Sequence, residues 1–328
     1  MNRMLGYLLA GFLLLLEAMP AASAADPGAW PARPIHLLVP AGVGGVVDTR
    51  ARWLADRLAR ALGTQVVVEN KPGAGGNIGM QIAARSAPDG YTLVAIHQGV
   101  MTVNPHLYRS SGYDPLADFT PVISYGFGAL LLAVHPDVRA TSVRELIGLA
   151  KAAPGRLAFG SPGVGTPPHL AGELFKRAAG IDVQHIPYKG GGQAAGDLIA
   201  GHVAFSIEGI TVQLPLVQGH RVRALAVTGP RRESVLADVP TMAEAGLPAA
   251  QFLGWAGFAV PARTPQPIVA RFHREIGAIL ASAEGREWLH SNGIEPVSWT
   301  PEEFAAAIRA EHAKWGVVVR EAGLRVDP

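Results

Sequence analysis

The chain has 328 residues, 49% of them hydrophobic and 7% aromatic, with 28 Lys and Arg against 26 Asp and Glu for a formal net charge of +2. That length allows roughly two domains with ample core, and a near-neutral balance without a basic, aromatic-studded cluster excludes a nucleic-acid partner. The absence of cysteine excludes a disulfide framework, thiol chemistry and a lipid-anchored lipoprotein.

In chain order, residues 1–24 read first as a signal peptide. Arg3 supplies a basic start, and Leu5 to Leu16 is an apolar run too short for a bilayer span of ~20 residues. Ala22-Ser23-Ala24 has the small-x-small form of a peptidase site, so Ala25 is expected as the first mature residue, exported to a periplasm. Ile35–Val39 then reads as a buried strand. From Val47 the apolar positions Val47, Ala51, Leu54, Ala55, Leu58 and Leu62 recur at helical spacing, with Arg50, Arg52, Asp56, Arg57 and Arg60 on the other face. Further strands are expected at Gln65–Val68, Tyr91–Ile96, Leu130–Val134, Leu157–Phe159, Val183–Ile186, Val203–Ile207, Arg223–Val227 and Gly257–Val260. Between them lie helices with recognisable starts. Ser142 with Glu145 and Thr300 with Glu303 fit capping boxes, and Thr264-Pro265 places proline at a first helical position. Alternation of this kind implies an α/β fold with mainly parallel strands. Ser124–His135 and Phe252–Pro261 read as two crossovers. They divide the chain into a discontinuous lobe, 26–126 plus 255–328, and an inserted lobe, 127–254, with a hinged cleft between.

Ligands of open α/β sheets bind beyond the carboxyl ends of strands. Glycine turns that open helices leave N–H groups free at the positive end of the dipole, which suits an anion. Four junctions qualify, and they supply the candidate ligand-binding residues. The first contributes Val43, Gly44, Gly45, Val46 and Asp48; the second, His97, Gln98 and Gly99. The third contributes Ser161, Gly165, Thr166 and His169, and the fourth Gly190 and Gly191. Glu208 at a strand end and Trp255 in the second crossover complete the set. Blander roles compete: Asp48 serving the dipole, Thr166 as a plain N-cap, Glu208 in solvent and Trp255 in the core. The turn Lys71–Asn77 reads as structural, with Asn77 as an N-cap. His169 and Glu173 share a helix face, but no third ligand is visible and surface pairing is expected, so no metal is assigned. Gly42-x-Gly44-x-x-Val47 lacks the third glycine of a dinucleotide turn, although Glu69 sits where a ribose-binding acid would. No P-loop or nucleophile elbow occurs, and the 11 histidines show no acid–base pair. No catalytic residue and no cofactor are expected.

Several segments together resemble a known family. They are Pro34-Ile35 to Asp48, Val68 to Gly79, Ala87-Pro88-Asp89-Gly90-Tyr91-Thr92-Leu93, Asn104-Pro105-His106-Leu107-Tyr108, His169 to Phe175, Pro187-Tyr188-Lys189-Gly190, and Asp238-Val239-Pro240-Thr241 with Glu244-Ala245-Gly246. In this order they resemble the Bug-type periplasmic solute-binding proteins of tripartite tricarboxylate transporters, over nearly the whole mature chain. The resemblance implies a two-lobed type II periplasmic-binding-protein fold closing on a small carboxylate, held by backbone amides and water rather than by an arginine. It implies a monomer that delivers its ligand to membrane transporter subunits. A sensor-kinase partner is the alternative, and a periplasmic enzyme a more distant one. The chain departs from the family where Ala41-Gly42-Val43 replaces an aromatic and two prolines, and where Val47 replaces a threonine. It departs again where Pro167 and Pro168 remove amide donors from a helix start, and where Glu208 replaces an aspartate. These changes point to a small carboxylate with an apolar or aromatic body rather than to citrate.

Overall fold

The computed structural model describes residues 30–321. The signal peptide assigned to 1–24 and the start at Ala25 lie outside the described residues.

The first half builds β1 (Ile35–Val39), α1 (Val46–Leu62), β2 (Val66–Asn70), α2 (Asn77–Ala84) and β3 (Thr92–His97). A π-helical turn over Gly99–Val103 and α3 (Asn104–Leu107) lead into the long β4 (Phe119–Val134). The second half builds α4 (Val143–Ala152), β5 (Ala158–Ser161), α5 (Pro167–Ala179), β6 (Gln184–Pro187) and α6 (Gly191–Ile199). It continues with β7 (Phe205–Gly209), α7 (Ile210–Gln218) and β8 (Arg223–Val227). The chain then returns through β9 (Leu253–Pro261) to α8 (Gln266–Ala281), α9 (Ala283–Ser291), β10 (Ile294–Glu295) and α10 (Pro301–Glu321).

Strands β2-β1-β3-β9-β4-β7-β5-β6 form one path, with β8 and β10 also paired to β4. Pairing is parallel within β2, β1 and β3 and within β6, β5 and β7. The sheet is nevertheless mixed rather than mainly parallel. β9 runs against both β3 and β4, and β4 runs against β7, β8 and β10. The reason is topological: β4 carries the chain out of the first half and β9 brings it back, so they must oppose each other.

Side chains change face at every strand residue, and the cores follow that rule. Ile35, Leu37 and Val39 pack under Leu54, Leu58 and Phe272 of α1 and α8. Leu38 turns the other way, towards Met80, Phe304 and Ile308 of α2 and α10. In the second half Leu130, Leu132 and Val134 join Phe159, Phe175 and Phe205, while Leu131 joins Ile210 and Val227 on the opposite face. Each half therefore has its own core, and β4 is shared by both.

Three strands run past their apolar segments. β3 ends at His97, β5 at Ser161 and β7 at Gly209, because ladder bonds to Ala256, Pro187 and Leu130 continue regardless of side-chain polarity. This brings polar groups to the sheet's inner ends. Helix starts also differ in detail from the expectation. Thr300 and Glu303 form a reciprocal capping box, with bonds of 2.8 and 3.2 Å. Ser142 caps Glu145, but Glu145 reaches back to Thr141 instead. Pro265 is an N-cap rather than the first helical residue, and Asn77 is the first residue of α2, not its cap. Buried Asn77 instead accepts from Asn104 and Tyr113.

Candidate functional site

The two halves flank a partly open cavity of about 140 Å³ at the inner strand ends. Its floor is Gly128, Ala129 and Leu130 of β4 with Gly254, Trp255 and Ala256 of β9. Gly128 and Gly254 are directly opposite in the ladder, so no side chain rises between them. One wall is Pro40, Ala41, Gly45, Val46, Val47 and Arg50, with Gly73–Gly76 and His97. The facing wall comes from Pro162, Thr166, Pro167, Pro168, Tyr188, Lys189, Gly191, Glu208 and Gly209.

The walls touch through bare backbone. A methyl at Gly42 would lie 2.7 Å from the Lys189 carbonyl oxygen, and one at Gly190 2.7 Å from the Gly42 Cα. At Gly45 it would lie 3.1 Å from the Gly191 nitrogen. Only glycine permits that approach, and it brings the starts of α1 and α6 together. The first helical bond of α1 is Thr49 N–H to Gly45 O, and that of α6 is Ala194 N–H to Gly190 O. The N–H groups of Val46, Val47 and Gly191 therefore have no acceptor within their helices. Two positive helix ends, each worth ~0.3–1 kcal/mol to an anion and more when partly buried, point at one cavity.

Among the expected site residues, Gly45, Val46, His97, Thr166, Gly191, Glu208 and Trp255 line the cavity. The others do not, and each has a structural reason. Val43 is 66% exposed at the loop tip. The Gly44 N–H is taken by Asp48 Oδ2 at 2.8 Å, while Asp48 Oδ1 accepts from Arg52 and Asn70. Burial pushes the Asp48 carboxyl up, but the bonds from Arg52, Gly44 and Asn70 outweigh it and hold the pKa below the usual value. Asp48 thus ties the loop together from behind. Gln98 donates to Glu311, which also accepts from the Trp255 indole. Gly99 packs against the Gly165 carbonyl, and Gly190 packs against Gly42.

The third junction is turned on itself. Ser161 Oγ pairs with His185 Nε2 at 2.7 Å and accepts from Gly163 N–H. Gly165 N–H donates to His169 Nδ1, and the Thr166 hydroxyl donates to Gly163 O rather than capping α5. Pro167 and Pro168 supply no amide at all. The histidines are not as scattered as the sequence suggests: Ser161 and His185 form a hydroxyl–imidazole pair. It has the composition of a nucleophile and base but not the setting. Ser161 is 1% exposed, and His185 is sandwiched between Phe159 and His169 at 4.7 and 4.3 Å. Burial lowers the pKa of His185 to about 3 and that of His169 to about 4. Glu173 pairs with Lys176, apart from His169. Glu69 pairs with His36 on the adjacent β1 and with Lys71 just beyond β2, so it is spoken for by neighbouring side chains.

Three features escaped sequence reading. Gly73–Gly76, expected to be purely structural, reaches the wall, as do Tyr188 and Lys189. Arg50, assigned to the outer face of α1, is buried on the cavity wall. A signal for it existed. Helical side chains lean towards the N-terminus over the preceding turn, so position 50 falls back over Val46 and Val47. The remaining polar groups are buried too. His97 is held near pKa 4 by burial, with Nδ1 unpartnered, and Glu208 is raised to about 7 by burial.

A glycine-built cleft between two α/β halves has counterparts among known proteins. The model of the tripartite tricarboxylate transporter family receptor, TctC, matches residues 50–324. The chain belongs to the TctC family. It is 37% identical to protein BugT of Bordetella pertussis over 327 residues, which is 99% of each chain. The structure of R. palustris Rpa4515 with adipate superposes at a TM-score of 0.87 and 36% identity, covering 90% of this chain and 100% of that one. Periplasmic binding protein BugD superposes at 0.86 and 32%, covering 90% and 100%. The TctC-family chain thus has the two-lobed fold of periplasmic binding proteins, and its relatives are solute-binding proteins. Among the described residues no helix is long and apolar enough to cross a membrane.

Proposed function

We propose that the protein is a periplasmic solute receptor, exported by the leader at 1–24, that captures one small carboxylate between the lobes 26–126 plus 255–328 and 127–254. The carboxylate is held mainly by the backbone amides of Val46, Val47 and Gly191. The closed complex then delivers its ligand to a membrane transporter. The observation that carries this reading is the convergence of two unpaired helix starts, α1 and α6, on one cavity. A cavity of about 150 Å³ holds a benzene-sized body, and the apolar Ala41, Val47 and Trp255 beside the amides favour an apolar ligand body over citrate. The adipate bound to Rpa4515 supports a carboxylate in this family.

No catalysis is part of this reading, since the Ser161–His185 pair is off the cavity wall and, among the described residues, no carboxylate orients it. Calorimetric titration of the purified chain with benzoate, hexanoate, adipate and citrate tests the proposal. Micromolar or tighter binding of a small carboxylate, with no chemical change in the recovered ligand, is expected. Binding of citrate alone removes the small apolar acid, and turnover of a bound acid makes the protein an enzyme.

A further inference from the structure

Two side chains on the cavity wall bear on which acid is captured. Arg50 is 8% exposed, and a guanidinium withdrawn from water is costly unless a partner compensates it. Its Nη2 donates to the Thr211 hydroxyl at 3.2 Å, but its Nε–H has no partner. The Tyr125 ring lies 5.5 Å from its Cζ, and the Tyr125 hydroxyl is close enough to feel a hydrogen bond from the guanidinium, but both partners are neutral and leave the charge without a counter-ion. Among the described residues no carboxylate forms an ion pair with it. The field of Arg50 reaches Glu208, yet the two are not bridged.

Glu208 is the mirror case. It is 5% exposed, and its Oε1 accepts the Gly209 N–H at 2.8 Å. No described residue donates to Oε2, which lies 3.5 Å from where a Gly191 methyl would be, beside the start of α6. Burial raises its pKa to about 7 against the opposing pull of Gly209 and Arg50. The cavity therefore carries a cation lacking an anion and an acceptor lacking a donor.

We propose that the site selects an acid with one carboxylate and one hydroxyl or amine donor on a small apolar body, the carboxylate pairing with Arg50 and the donor with Glu208. This rests on the acid-capture reading above and narrows it. Arg50 leans back over the first turn of α1, so one carboxylate meets both its guanidinium and the free amides of that turn. A dicarboxylate would set a second negative charge against the buried Glu208, which disfavours both ionised forms.

Two matched ligand series test it by calorimetry: hexanoate, ω-hydroxyhexanoate, ω-aminohexanoate and adipate; then benzoate, meta-hydroxybenzoate, meta-aminobenzoate and isophthalate. In at least one series a donor-bearing acid is expected to bind about tenfold or more tighter than both the plain acid and the diacid. Glu208→Gln should shrink that preference below about threefold and strengthen the diacid. Arg50→Leu should weaken every acid of the series about tenfold or more. Should Arg50→Leu not fold, Arg50→Lys keeps a charge and removes the Nε–H, and Glu208→Asp shortens the acceptor. A diacid bound tightest by the wild type, or a preference unmoved by Glu208→Gln, overturns the selectivity while acid capture stands. No binding of any acid in either series overturns both.

Discussion

The turn after β1 and the turn after β5 are made of similar material and reach the same cavity from opposite walls. Both are glycine-rich, both lead from a buried strand into a helix, and both hold a polar residue in the first helical turn. Their hydrogen bonds go to different places. Behind the first turn, Asp48 consumes only the Gly44 amide and leaves Val46 and Val47 open to the cavity. In the second, Ser161, Gly163, Gly165, Thr166 and His169 satisfy one another, and two prolines delete the amides that would remain. A glycine turn becomes an anion site only where its donors are left over after the fold has been satisfied.

Acid should separate the two turns most strongly. His169 and His185 are neutral in the fold, at about 4 and 3, and ordinary when unfolded. The unfolded chain therefore takes up protons first as pH falls below about 6.5, and the stability tied to this pair is lost progressively down to about pH 3. The lowered Asp48 carboxyl keeps its contribution until below the ordinary carboxylate value of 3.8. Hydrogen exchange at falling pH should thus open the β5 turn before the β1 turn; the reverse order breaks the contrast.

Blocking the contact between lobes comes next. Gly45→Leu places a side chain against the Gly191 backbone, so carboxylate affinity should fall about 100-fold, some 2.7 kcal/mol, with the melting temperature nearly unchanged. Unaltered binding would show that the α1–α6 contact is not part of the clamp. Asp48→Ala frees the first loop and strands a buried amide, which should cost about 2 kcal/mol of stability in denaturant titration and weaken binding alongside. Ser161→Ala in the second turn should cost about 1 kcal/mol of stability and leave affinity within about twofold. A large loss of binding would bring that turn back into the site. The smallest effect is expected of Pro168→Ala, which returns one N–H to α5. Less than about a threefold change in Kd by calorimetry would show that α6, not α5, supplies the second pole.

Much of the fold was legible in the chain. Arg223–Val227 matches the expected strand to the residue, and the stretches read as crossovers are both strands, β9 within one residue at each end and β4 starting five residues early. The expected strand ends fall two residues short of Ser161 and of Gly209, because ladder bonds outlast the apolar run that reveals a strand. The short β10 gave no periodic signal. The site was legible as a set of junctions but not as a set of contacts. Arg50 looked outward on a helical wheel that considers only the helix's own face, and Gly73–Gly76 looked like a simple chain reversal.

The sequence by itself determined the alternation of strands and helices, the paired crossings and the glycine positions where backbones can meet, because periodicity and backbone freedom are local properties. Only the tertiary structure decided which amides stay unpaired and which charges are buried. Those outcomes depend on partners far along the chain: Asn70 for Asp48, His185 for Ser161, Glu311 for Gln98 and Trp255. A residue's capacity to bind a ligand is what remains after such partners have been served, and no local pattern records that remainder.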